Sequence, residues 1–193
     1  MARKAARLWR RSMAKWYKPS NPGDMQARLW FGPAAITEIE NIITPNMRVI
    51  EHGSGGSTLW LAERCKSVTS YEHDPDWFEQ VAKYAPDNAN VIMWVSETPP
   101  QLDSGCCDLL IIDGEPVEYR AAWIDEALRL VSPGGYIVLD NANRPEYKAP
   151  HEKLQKDCAS YKTINCNEVG TMYLVTEIYQ KGKKQNAARR TKP

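Results

Sequence analysis

The 193-residue chain contains no C-x-x-C pair, and its five cysteines (Cys65, Cys106, Cys107, Cys158, Cys166) form an odd set. That argues against a disulfide framework and a zinc site. It suits a reducing, cytoplasmic setting in which the thiols serve as small buried apolar groups. No apolar stretch approaches the roughly 20 residues of a membrane span, and no signal-peptide core is present. Acidic residues are missing from both ends. Residues 1–18 hold seven Lys/Arg and no acid, and residues 181–193 hold six and no acid. The twelve basic residues between 19 and 180 face all 24 acids, so a net charge of +1 conceals an acidic body of about −12 between two basic ends. Such a body suits a cationic ligand and repels a polyanion, while the ends attract one.

The chain is long enough for one substantial domain with modest extensions. Residues 2–17 can form a basic helix with Trp9, Met13, Trp16 and Tyr17 on one side, stopped by Pro19 and Pro22. A lid, a membrane-surface contact, a nucleic-acid arm and a solvated extension all fit that segment. Helical spacing follows over 33–43. Strands are expected at 47–50, 67–71, 91–95, 108–112 and 136–139, alternating with helices at 57–64, 76–84 and 118–130. Ser132-Pro133-Gly134-Gly135 reads as a turn before the fifth strand. A helix near 151–158 precedes two strands, 161–165 and 171–178, paired antiparallel across a turn at 167–170. The alternation predicts an α/β fold, a Rossmann-like, doubly wound, mostly parallel seven-stranded sheet with helices on both faces and one antiparallel strand near the C-terminus. Residues 181–193 read as a disordered tail.

The most informative segment is Val49-Ile50-Glu51-His52-Gly53-Ser54-Gly55-Gly56-Ser57-Thr58, a strand end, a glycine-rich bend and a helix start. Glycines there let the backbone approach a ligand closely, and helix amides favour a negative group. Glu72 closes the next strand nineteen positions after Gly53, where a carboxylate could accept both hydroxyls of a ribose. The pair indicates a nucleoside-cofactor site. The dinucleotide fingerprint needs a third glycine where this chain has Thr58, and no Gly-Lys follows as a phosphate-binding P-loop requires.

What remains, EHGSGGS, resembles motif I of the class I S-adenosylmethionine-dependent methyltransferases. The resemblance covers roughly residues 30–180. It implies a basic extension or lid helix over 1–23, a methyltransferase domain over 24–180 and a tail over 181–193. By the family's pattern, Glu51, Gly53, Ser54 and Gly55 hold the methionine portion of the cofactor, and Glu72 holds the ribose. Ser96, or Glu97, meets the adenine, and Asp113 lies beside the cofactor.

Acids fall at four expected strand ends: Glu51, Glu72, Asp113 and Asp140. Asp113, with Asp140-Asn141 after the neighbouring strand, is similar to the Asp…Asp-Asn metal set of catechol and caffeoyl-coenzyme A O-methyltransferases. That resemblance implies Mg²⁺ on Asp113, Asp140 and Asn141, the same three residues serving in catalysis. Those enzymes carry a lysine three residues after the first aspartate, where this chain has Pro116. Another base is then required, with Glu115, Lys148 and His151 as candidates, or the metal chemistry does not occur. Amino-methyltransferases of nucleobases carry [D/N/S]-P-P-[Y/F/W] after the fourth strand. Asp113-Gly114-Glu115-Pro116 departs from it, and Thr98-Pro99-Pro100-Gln101 lies before that strand. The expectation is methyl transfer to an oxygen, less readily a nitrogen, of a small molecule. RNA methylation through the basic ends and a non-catalytic cofactor-binding module are the alternatives.

Overall fold

A computed structural model of the chain describes residues 21–26, 29, 31–114, 116–166 and 174–183. Residues 1–20 of the basic N-terminal segment, Glu115, the turn at 167–170 with the following 171–173, and residues 184–193 of the C-terminal tail lie outside them. In order, the elements are α1 (Pro22–Gln26), α2 (Pro33–Ile42), β1 (Arg48–His52), α3 (Gly56–Ala62), β2 (Ser67–Glu72), α4 (Pro75–Tyr84) and β3 (Ala89–Met93). Then come β4 (Cys107–Ile112), α5 (Val117–Leu130), β5 (Val131–Leu139), a 3₁₀ turn (Pro145–Tyr147), α6 (Lys148–Asp157), β6 (Ser160–Cys166) and β7 (Leu174–Gln180).

The seven strands form one sheet in the order β3-β2-β1-β4-β5-β7-β6. The first five are parallel, and β7 runs antiparallel to both β5 and β6. The chain winds outward from β1 through β2 to β3, then returns to lay β4 on the other side of β1. The crevice at the carboxyl ends of β1 and β4 is therefore the topological switch point, where ligands of open α/β sheets bind.

Side-chain alternation builds a core on each face. Ile50, Leu110, Ile112, Ile137 and Leu139 pack against Trp123, Ile124 and Ala127 of α5 and Leu154 of α6. Val49, Val68, Leu109, Ile111 and Val138 pack against Ala35 and Ile39 of α2 and Trp60 and Leu61 of α3. Each such fully buried aliphatic side chain contributes about 1.5–3 kcal/mol. Below the sheet, Arg48 pairs with Asp108 at 3.0 Å and donates to the Gly105 carbonyl, tying the amino ends of β1 and β4.

Two boundaries differ from the sequence expectation. Residues 132–135 are not a turn before β5 but its first half, set apart by a register shift between Cys107 and Leu109 with Gly134 at φ +85°. A bulge accommodates the glycine pair without ending the pairing. β3 begins at Ala89, so Trp94, Val95 and Ser96 fall beyond its end.

Candidate active site

Glu51 and His52 are adjacent at the end of β1 and point to opposite faces. Glu51 is buried toward α3, where its carboxylate accepts the hydroxyls of Ser57, Thr58 (2.7 Å) and Ser70 (2.7 Å). Burial pushes this carboxyl up to about 7, against the lowering effect of those three donors. Thr58 also accepts the Gly55 amide at 3.0 Å. One acid therefore staples the bend, the start of α3 and the middle of β2 together. The Gly55 amide, which the sequence offered to a ligand, is occupied within the chain. His52 stacks on Trp123 with ring centroids 5.1 Å apart. Burial first, then the Arg120 charge, hold its imidazole well below its ordinary value, so it is neutral.

Glu72 ends β2, and its carboxylate spans two loops. One oxygen accepts the Ser54 amide at 3.0 Å and the Ser54 hydroxyl at 2.8 Å; the other accepts the amides of His73 and Asp74, both at 2.9 Å. Asp74 caps α4 by accepting the amides of Asp76 and Trp77. Trp77 reaches back from α4 to donate its indole N–H to the Ser54 carbonyl at 2.8 Å.

The glycine bend meets the end of β4 backbone to backbone. Gly53 has φ +100°, and a Cβ there would lie 2.7 Å from Gly114 Cα; a Cβ on Gly114 would lie 2.7 Å from the Gly53 nitrogen. Only two residues without side chains allow the β1 and β4 loops this approach. Beside them sits Arg120, fully buried on α5. It donates to the carbonyls of Gly114 (2.7 Å), Asp140 (2.9 Å) and Asp113, and pairs with the Asp113 carboxylate at 3.0 Å. Asp140 accepts the Thr176 hydroxyl at 2.8 Å and the Asn141 side-chain amide at 2.7 Å. Burial first, then the neighbouring Asp113 charge, push the Asp140 carboxyl up to about 7. Asn141 takes a left-handed conformation (φ +53°), and its side-chain oxygen accepts from Arg144 at 2.8 Å.

The fold thus gathers Glu51, Gly53, Ser54, Gly55 and Glu72 around one bend, with Glu51 beneath it rather than facing the crevice. It gathers Asp113, Asp140 and Asn141 around Arg120. Ser96 bonds locally, its hydroxyl accepting the Thr98 amide at 3.3 Å, and Glu97 is exposed. Of the candidate bases, Glu115 lies outside the described residues, Lys148 is exposed, and His151 is engaged by the buried Glu177.

The donor set does not fit the Mg²⁺ that the resemblance implied. A buried guanidinium already supplies the positive charge at Asp113. Both Asp140 oxygens accept protein donors, and the Asn141 oxygen faces a second arginine. Among the described residues, no cluster of three or more His, Cys, Asp or Glu side chains could hold a metal ion.

Arg120, Thr176, Trp77 and Gly114 were not singled out from the sequence. Arg120 had one signal, since with Trp123, Ile124 and Ala127 it falls on the buried stripe of α5. Thr176 and Trp77 had none, because each meets its partner across more than twenty residues of chain.

Residues 50–142, from the end of β1 to the loop after β5, match the model of a family described as a methyltransferase domain. Residues 50–142 thus carry a methyltransferase domain. Solved structures agree on the fold. A tRNA (m1A58) methyltransferase from Aquifex aeolicus is 12% identical with a TM-score of 0.60, over 77% of this chain and 67% of that one. A methyltransferase from Pyrococcus furiosus is 19% identical with a TM-score of 0.58, over 94% and 98%. The N-methyltransferase NodS from Bradyrhizobium japonicum, in complex with S-adenosyl-L-homocysteine, is 12% identical with a TM-score of 0.57, over 83% and 96%. No curated protein sequence matches the methyltransferase significantly.

The residues present fit the methyl donor. The bend is built of small residues, and among the described residues no lysine or arginine pairs with Glu72; its partners are the Ser54 amide and hydroxyl, the His73 and Asp74 amides and the His73 Nδ1 at 3.0 Å, of which the Ser54 hydroxyl and the imidazole are side chains that a hydroxyl ligand can displace. In the methyltransferase no helix among the described residues is long and apolar enough to cross a membrane.

Proposed function

We propose that the methyltransferase transfers a methyl group from S-adenosylmethionine to an oxygen, less readily a nitrogen, of a small molecule. The observation that carries the donor half is Glu72, a buried acid at the end of β2 bonded directly to the glycine bend through Ser54. In this reading Glu72 accepts the ribose hydroxyls, and the Gly53-Ser54-Gly55 backbone lies along the methionine portion. Ser96, just beyond β3, borders the adenine. Bound S-adenosylmethionine supplies an electrophilic methyl group on its sulfonium.

The acceptor half rests on the carboxyls of Asp113 and Asp140 at neighbouring strand ends, held by one arginine. They orient the acceptor beside the cofactor and receive the proton its hydroxyl releases, and Asn141 shapes the same rim. Because the methyl donor is intrinsically reactive, positioning and exclusion of water carry much of the catalysis. No step passes through a metal.

Calorimetry with S-adenosylhomocysteine tests the donor half. A charge-assisted hydrogen bond contributes about 1.5–3 kcal/mol, so Glu72→Ala is expected to weaken binding by roughly one to two orders of magnitude. Unchanged affinity removes Glu72 from the site. Label transfer from methyl-labelled donor to a panel of hydroxylated small molecules tests the acceptor half.

RNA as acceptor is the second reading, favoured by the thirteen basic residues of the two ends and by a structural neighbour that methylates tRNA. RNA binding that weakens steeply with salt, and disappears when both ends are trimmed, would support it over the small-molecule reading.

A further inference from the structure

An ionised carboxylate offers about four lone-pair positions to hydrogen-bond donors. Glu72 has four hydrogen-bond donors from its own chain, the amides of Ser54, His73 and Asp74 and the hydroxyl of Ser54, and the His73 Nδ1 lies 3.0 Å from the oxygen that Ser54 does not use. Three of these belong to the backbone and move only if a loop moves. The fourth is a side chain on a single rotatable bond. The Ser54 peptide is held on both sides, its amide on Glu72 and its carbonyl on the Trp77 indole, so the hydroxyl can turn while the bend stays in place. Ser54 itself is only half-buried, which leaves room for that rotation.

We propose that Ser54 sets the affinity of the nucleoside site by competing for Glu72. Its hydroxyl sits on the carboxylate position that a ribose hydroxyl needs, and it rotates away when the nucleoside enters. The inference rests on the reading of Glu72 as the ribose acceptor. The ribose bond to that oxygen is then gained in exchange for an existing charge-assisted bond, so the site binds the nucleoside about fivefold to tenfold less tightly than it would without the serine hydroxyl. Donor and demethylated product carry the same ribose, so the exchange loosens both. Product release limits the turnover of many enzymes, and a displaceable internal donor speeds it.

Removing the competitor should therefore tighten binding. Ser54→Ala retains both backbone bonds and is expected to bind S-adenosylhomocysteine about fivefold to tenfold more tightly by calorimetry. Ser54→Cys, with a weaker donor, is expected to fall between alanine and the parent. The 2′,3′-dideoxy analogue of S-adenosylhomocysteine has no ribose hydroxyl to compete, so the Ser54→Ala gain should vanish with it. Equal or weaker binding of S-adenosylhomocysteine by Ser54→Ala overturns the proposal, as does an equal gain for the dideoxy analogue. Glu72→Gln separates this from failure of the underlying reading. If it leaves the affinity unchanged, Glu72 is not the ribose acceptor and both ideas fall. If it weakens binding while Ser54→Ala gives no gain, only the competition is wrong.

Discussion

Gly53 and Gly114 face each other so closely that a Cβ added to either would lie 2.7 Å from a backbone atom of the other. This contact joins the end of β1 to the end of β4 at the switch point of the sheet. It places the bend beside the rim that carries Asp113, and it makes one crevice out of two loops that are 61 residues apart.

Gly114→Ala tests this contact. Its Cβ would also lie 2.9 Å from the His52 carbonyl, and backbone atoms cannot yield cheaply. Overpacking of this kind costs about 1–3 kcal/mol, and the bend must shift to relieve it. The variant is expected to lose stability in urea and at least about tenfold in S-adenosylhomocysteine affinity. Gly55→Ala is the contrast: its Cβ would meet Trp77 at an ordinary 3.6 Å, in extended backbone. It should melt like the parent, and equal losses of stability in both variants would contradict the account.

Arg120→Lys should be severely destabilising although the charge is kept. A lysine cannot reach the carbonyls of Asp113, Gly114 and Asp140 together with the Asp113 carboxylate as the planar guanidinium does. A buried carbonyl left without its donor costs about 1–3 kcal/mol, so losing two or more of them is a large share of an ordinary domain's stability. Chemical denaturation measures it. A loss below about 1 kcal/mol, the range of a surface pair, would mean that Arg120 does not hold the rim.

Glu51 predicts a pH dependence of stability with a definite sign. Its folded pKa, about 7, lies above the ordinary 4.5. The fold therefore favours the protonated form, and that contribution is complete below pH 4.5 and lost as pH rises to about 7. A shift of this size corresponds to on the order of 3 kcal/mol. Glu51→Gln should flatten the decline between these limits and be the more stable protein at alkaline pH. Asp140, raised for similar reasons, retains part of the slope. Identical pH profiles for parent and variant would show that Glu51 stays charged throughout.

Magnesium titrated into the protein should give no saturable heat, because the oxygens of Asp113, Asp140 and Asn141 already answer Arg120, Thr176 and Arg144. A stoichiometric, submillimolar site abolished by Asp113→Asn would reverse that conclusion.

Much of the fold was legible in local pattern. Helical and strand periodicities placed the parallel strands within a few residues; the central strand β4, buried on both faces, reads as a continuous apolar run. The errors fell at Ser132–Gly135, where turn-forming residues build a bulge, and at β3, where β-forming residues run past the pairing. The bend and Glu72 stood out for the same reason, since a strand end followed by glycines constrains a short stretch of backbone.

The amino-acid sequence by itself determined the fold class, the glycine bend followed by Glu72 and the acids at the strand ends, for these follow from periodicity, charge and motif spacing along the chain. Only the tertiary structure decided what each side chain faces. It turned Glu51 into an internal brace, set Arg120 where a metal had been expected, and laid the Ser54 hydroxyl on Glu72. Those outcomes depend on contacts between strands and helices far apart in the chain. A buried charge takes whatever partner the packing brings to it, and no local pattern names that partner.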